Sequence, residues 1–73
     1  METKKYTIQK NHTTGNLAIY ELHKGQKLWI KDCIATNKKD AEKEFIRFSN
    51  ACKKEYIRLG GDINEFPQTK IQY

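Results

Sequence analysis

Residues 36–61, TNKKDAEKEFIRFSNACKKEYIRLGG, form the most informative stretch of this chain. Apolar side chains recur there at three- and four-residue spacing, which predicts one amphipathic helix with a single apolar stripe. The stripe consists of Ala41, Phe45, Phe48, Cys52, Tyr56 and Leu59, with Ile46 and Ile57 beside it. Asn37 or Thr36 can cap the first turn, and Gly60-Gly61 can end the last one. We therefore predict a helix over 37–59.

Local pairs support this helix. Asp40 follows Asn37 by three residues, which is the spacing of a capping box with a shorter acid. Glu55 and Arg58 are also three residues apart, so they can form an ion pair. About 22 residues make a helix of about 33 Å. We expect its C-terminal end to extend beyond a small sheet.

The residues before the helix have the pattern of β-strands. In KYTIQK, residues 5–10, apolar and polar side chains alternate with period two. LAIYEL (17–22) and KLWIKDCIA (27–35) are rich in β-forming residues, and turns containing Gly15 and Gly25 separate the three segments. Strands joined by such short turns pair as an antiparallel meander.

The predicted fold class is α+β in one small domain. A three-stranded antiparallel meander covers 5–35, one long helix (37–59) packs on it, and an extended tail covers 60–73. In the tail, Ile63 and Phe66 can fold back over the end of the helix. The last four residues, KIQY, can either add an edge strand or stay extended.

The third strand contains one conflict of pattern. By alternation, Leu28, Ile30 and Ile34 share one face, and the opposite face is shared by Lys27, Trp29, Lys31 and Cys33. Asp32 then falls on the apolar face, where a charge is unfavourable. Either a β-bulge shifts the register or the strand ends at the sheet margin. For 17–22, the alternation does not assign the two faces.

Composition narrows the function classes. A chain of 73 residues has a small core, so binding at the surface is expected rather than in an internal cavity. The net charge of +5 suits an anionic partner such as nucleic acid, although it also serves solubility. No apolar run is long enough to span a membrane. METKKYTIQKN lacks the apolar core of a signal peptide, so a cytoplasmic location is expected.

Reactive side chains are few. Cys33 and Cys52 are expected to be reduced and buried, and the spacing of His12, His23 and the two cysteines is not that of a zinc module. The acids of the first helical turns, including Glu44, are explained by the helix dipole. We find no catalytic constellation and therefore expect a non-enzymatic protein without metal or cofactor.

Lysines and one tryptophan form the candidate binding set. Phosphate recognition requires several cations on one continuous surface. A meander face with Lys27, Trp29 and Lys31, flanked by turn lysines, would provide them, and Trp29 is either a core residue or an exposed contact. The predicted nucleic-acid-binding residues are Lys10, Lys24, Lys27, Trp29, Lys31, Lys38 and Lys39.

One family resemblance bears on this set. The order of three strands with glycine turns at Gly15 and Gly25, followed by a helix that opens with TNKKDAE (36–42), resembles the arm-type N-terminal DNA-binding domain of phage and transposon tyrosine integrases. That resemblance implies that the exposed sheet face docks into the major groove of duplex DNA. The helix start is also similar to the last helix of double-stranded RNA-binding domains.

Three functions remain open on the sequence. The leading prediction is a DNA-binding module of mobile-element or phage type with a duplex nucleic acid as partner. The alternative is a small protein-interaction domain, inhibitor or accessory protein, with the tail and the overhanging helix end as its contact surface. A third possibility is self-association through Leu17 and Ile19. None of the three involves a membrane.

Overall fold

The computed structural model describes residues 3–72 and confirms the α+β fold. Four strands form one sheet in the order β3-β2-β1-β4. The helix α1 packs against β1, β2 and a short 3₁₀ helix. The elements along the chain are β1 (Thr3–Lys10), β2 (Leu17–His23), β3 (Gln26–Asp32), α1 (Lys38–Arg58), the 3₁₀ helix (Ile63–Glu65) and β4 (Gln68–Ile71).

The tail supplies the fourth strand. β1 to β3 form the predicted antiparallel meander, whereas β4 lies parallel to β1 at the far edge of the sheet. The backbone N–H of Gln72 extends this pairing by donating to the carbonyl of Tyr6 at 2.7 Å. Of the two alternatives for KIQY, an edge strand is therefore the one that forms, although Tyr73 lies outside the described residues.

Both ends of α1 follow the predicted local chemistry. Asn37, not Thr36, is the N-cap, and its Oδ1 accepts a hydrogen bond of 2.9 Å from the backbone N–H of Asp40. At the other end Gly60 has φ +92°, a left-handed conformation that glycine adopts without strain. The N–H of Gly61 then reaches the carbonyl of Tyr56 at 2.9 Å, which closes a Schellman motif. The predicted pair of Glu55 and Arg58 also forms.

Only the first half of the helix stripe contributes to the core. The buried apolar cluster joins the sheet to the start of α1 and consists of Tyr6, Ile8, Ile19, Cys33, Ala41 and Phe45. Cys52 is exposed, so its predicted burial is wrong. Leu59 is also exposed, at 73%. Both residues lie on the part of the helix that extends beyond the sheet, as the length of the helix predicts. Phe66 folds back against Tyr56 instead, with ring centroids 5.3 Å apart.

The structure assigns the two faces of β2. Ile19 is fully buried beneath α1, and Leu17 packs against the same cluster. Because neither side chain forms an exposed patch, self-association through these two residues is wrong.

A bulge in β3 resolves the conflict at Asp32. The neighbouring residues Tyr20 and Ile19 of β2 pair with Trp29 and Lys31 of β3. Ile30 of β3 therefore has no pairing partner on β2 and is the extra residue of the bulge. After the bulge, each residue of β3 lies on the face opposite to the one that simple alternation predicts. Asp32, which pairs with Ala18, therefore lies on the side away from the helix. The predicted grouping of Lys31 and Cys33 with Lys27 is therefore wrong: Cys33 is buried in the core, and Lys31 pairs with a core residue.

Candidate nucleic-acid interface

One face of the sheet carries the helix, and the other, here called the open face, carries none. Side chains on one strand alternate between faces, and residues paired across strands share a face. The register therefore assigns to the open face Lys5, Thr7, Gln9, Ala18, Tyr20, Leu22, Lys27, Trp29, Asp32, Gln68 and Lys70.

Three lysines lie in one line across the four strands of this face. Lys27 pairs with Leu22, Leu22 pairs with Lys5, and Lys5 pairs with Lys70. We call this line the lysine row. Neighbouring strands are about 4.8 Å apart, so the row spans about 14 Å. Of these three lysines, only Lys27 is predicted from the sequence as a binding residue. The alternation in β1 could have identified Lys5, whereas Lys70 depends on the pairing of β4.

Two aromatic side chains lie in the next line. Trp29 of β3 pairs with Tyr20 of β2, and the indole is 57% exposed. Of the two predictions for Trp29, core packing is therefore wrong, and the role of exposed contact residue stays a prediction. The Lys27 ammonium lies 5.1 Å from the centroid of the Tyr20 ring and donates a hydrogen bond of 2.7 Å to Oε1 of Gln9. The lysine and aromatic rows thus touch each other.

Asp32 holds the indole in place. Nε1 of Trp29 donates to Oδ1 of Asp32 at 2.8 Å, and Nδ2 of Asn11 donates to the same oxygen at 3.1 Å. These hydrogen bonds, that from Trp29 above all, lower the pKa of the Asp32 carboxyl from its usual 3.8 to about 2. The carboxylate is therefore charged at neutral pH. It is the one carboxylate on the open face of the described chain.

The predicted binding residues divide between two regions. Lys27 and Trp29 lie on the open face, and Lys24 lies beside them in the turn between β2 and β3, with φ +50°. The other four residues lie elsewhere. Lys31 and Lys10 pair with the helix-side residues Ile19 and Leu17, while Lys38 and Lys39 begin α1. The structure does not bring the seven together on one surface.

Glu44 has a structural role that the sequence does not reveal. Its two carboxylate oxygens accept hydrogen bonds from the backbone N–H groups of Ile34 and Ala35, at 3.0 and 2.7 Å. The bond from Ile34 is the largest cause of a lowered pKa at Glu44, and the nearby Lys31 also contributes. The carboxylate thus fastens the β3–α1 loop to the helix. No local sequence pattern predicts this contact, because Glu44 lies about ten residues after Ile34 and Ala35.

Other kinds of site find little support in the described structure. Both cysteines are free. Within residues 3–72, no three His, Cys, Asp or Glu side chains are grouped so that they could hold a metal ion. Over the same range no helix is both long and apolar enough to cross a bilayer.

Comparison with protein-family models, with curated proteins and with solved structures gave no match. The resemblance to integrase arm domains therefore stays a prediction.

Proposed function

We propose that this protein is a non-enzymatic nucleic-acid-binding module that acts through the open face of its sheet. The observation that carries the proposal is the lysine row, in which Lys27, Lys5 and Lys70 place three cations on one continuous surface. Each lysine that contacts a phosphate releases condensed counterions, and that release is the main source of affinity for nucleic acids. Lys24, in the adjoining turn, adds a fourth cation to this end of the sheet.

The resemblance to integrase arm domains adds detail to this proposal. It points to DNA as the ligand and to a phage or mobile element as the setting. A cytoplasmic location belongs to the same proposal.

A second candidate is a protein-interaction domain. The observation in its favour is apolar exposure at the overhanging helix end, where Ile57, Leu59 and Ile63 are 48%, 73% and 45% exposed. Association through the edge strand β3 is disfavoured, because its bulge and its lysines, Lys27 and Lys31, are features that protect sheet edges from pairing.

A charge-reversal experiment tests the leading proposal. Lys5→Glu combined with Lys70→Glu reverses two charges of the lysine row. The two residues face each other across β1 and β4, so one like-charged pair replaces another and folding should change little. We expect weaker binding to random-sequence nucleic acid. The salt dependence, log K against log salt, should become shallower by roughly 1.4–1.8, the equivalent of two lost phosphate contacts.

The matched control is Lys53→Glu combined with Lys54→Glu, which makes the same charge change on α1. This variant should retain most of the affinity. If both double variants lose affinity equally, the open face is not the binding surface. If the wild-type protein binds neither DNA nor RNA at about 50 mM salt, where such contacts are strong, the nucleic-acid proposal fails and protein interaction becomes the leading candidate.

A further inference from the structure

The open face is ordered into three parallel rows of different chemistry. The lysine row lies nearest the β2–β3 turn. The aromatic row of Trp29 and Tyr20 follows, and then a row in which Asp32 pairs with Ala18. The lysine and aromatic rows are two residues apart along β2, or about 6.7 Å. Cations thus lie at one end of the face and a carboxylate at the other, with exposed aromatic surface between them.

The hydrogen bond to Asp32 limits what Trp29 can offer a ligand. Indole has a single polar group, the Nε1–H donor. Because that donor is already bonded to Asp32 at 2.8 Å, the exposed part of the side chain can contribute only its ring surface. A ligand that uses this surface needs a flat, accessible face of its own.

We propose that the open face binds single-stranded nucleic acid, with the sugar-phosphate backbone along the lysine row and a base stacked on Trp29. This assignment rests on the proposed function and names its ligand class. Unpaired bases expose the flat faces that stack on aromatic side chains, and sheets with exposed aromatic residues hold about two bases in this way. The stacked base on Trp29 lies beside the row of cations that binds its phosphate.

A duplex matches this face less well. Its bases are stacked on one another, so it presents base edges and two phosphate backbones rather than base faces. With one backbone on the lysine row, the other would approach the Asp32 end, where a charged carboxylate repels phosphate.

Binding of matched ligands provides the first test. Fluorescence anisotropy compares oligothymidylate and oligouridylate single strands with DNA and RNA duplexes of the same length, at one salt concentration. Trp29 is the only tryptophan of the chain, so its fluorescence reports on this site alone. We expect tighter binding of a single strand, DNA or RNA, than of its duplex, with quenching of the tryptophan emission on binding.

Variants of Trp29 provide the second test. Trp29→Ala should weaken single-strand binding by about 5- to 150-fold, the range for one stacked base. Its salt dependence should be unchanged, because no phosphate contact is lost. Trp29→Phe keeps a ring and should retain most of the affinity. Since the side chain is 57% exposed, both variants should fold, which circular dichroism verifies.

The outcomes separate this inference from the proposed function. Duplex binding that equals or exceeds single-strand binding, or binding without quenching, overturns the inference but leaves a nucleic-acid-binding module in place. Full affinity in Trp29→Ala also overturns it. Absence of binding to every ligand defeats both proposals together.

Discussion

The ring of Phe45 in α1 lies 5.2 Å from the ring of Tyr6 in β1, centroid to centroid, with the two planes inclined at 57°. Both side chains are only 5% exposed. This tilted contact is a favourable arrangement for aromatic pairs. It is one of the contacts that attach the helix to the sheet, and Phe48 completes the aromatic group at 6.1 Å from Tyr6.

Truncation should therefore be far more harmful at Phe45 than at other apolar helix positions. We expect Phe45→Ala to lower the free energy of unfolding by about 3–5 kcal/mol, which could abolish folding in a domain of this size. Phe48→Ala should cost roughly half as much, because Phe48 is only half-buried. Urea unfolding followed by circular dichroism measures both.

Ile46→Ala is the control for this pair, since Ile46 lies on the same helix and is 57% exposed. Its effect should stay within about 0.5 kcal/mol, as at ordinary surface sites. Equal midpoints for the Phe45 and Ile46 variants would contradict the assigned core.

The two cysteines should react at very different rates. Cys52 is exposed, whereas Cys33 is buried in the core, and burial together with the nearby Glu44 raises the pKa of the Cys33 thiol. The reactive thiolate is therefore scarce and shielded at Cys33. In the native protein an alkylating reagent should modify Cys52 first, and Cys33 only on unfolding.

Timed labelling followed by peptide mass analysis distinguishes the two sites, and Cys52→Ser serves as the control that removes the fast phase. Similar rates at both sites would contradict the burial of Cys33. An intact mass lower by about two hydrogens would reveal an internal disulfide and would contradict the two free thiols of the structure.

The indole should report the protonation of Asp32. The pKa of the Asp32 carboxyl in the folded protein is about 2, which lies below the usual 3.8. A carboxyl with a lowered pKa stabilises the fold above its ordinary pKa, and this contribution is lost as the pH falls through the folded value. We expect the Trp29 emission to change between about pH 4 and pH 2, with a midpoint near the lower end.

Asp32→Asn is the control, because the amide keeps an oxygen acceptor but does not titrate. It should lack this transition. Circular dichroism over the same range separates the local change from acid unfolding. A midpoint near the ordinary aspartate value would show that the hydrogen bonds from Trp29 and Asn11 do not form in solution.

Gly61 should tolerate alanine only when Tyr56 is removed. A Cβ atom at Gly61 would overlap the Tyr56 ring, which in turn packs against Phe66. We expect Gly61→Ala to displace that ring and to lower stability by about 1–3 kcal/mol, the usual effect of overpacking.

A double-mutant cycle tests this clash directly. In a Tyr56→Ala background, the same Gly61→Ala change should cost much less, because the obstructing ring is gone. Denaturant unfolding of the four proteins gives the coupling energy. Additive effects would contradict the close approach of Gly61 to the ring.

The elements of this fold that have local causes could be predicted from the residues. Asn37 and Gly60 act on backbone groups within a few residues, so the N-terminal cap and the C-terminal end of the helix could be predicted. The alternation of Tyr6 and Ile8 placed β1 with its apolar face inward, and the helical spacing placed Ala41 and Phe45 on the apolar stripe, where both are buried. Helix length also predicted the overhang that leaves Leu59 exposed.

The way in which these elements combine into a surface depends on pairing between distant segments, which local patterns do not predict. The bulge at Ile30 moves Lys31 away from Lys27, and it depends on how β3 pairs with β2. Lys70 joins the lysine row only because β4 pairs with β1, across more than sixty residues of sequence. Cys52 fits the periodic apolar stripe of the helix, but it is exposed because this part of the helix extends beyond the sheet. Periodicity shows which side chains share a face, whereas pairing between distant segments decides what that face meets.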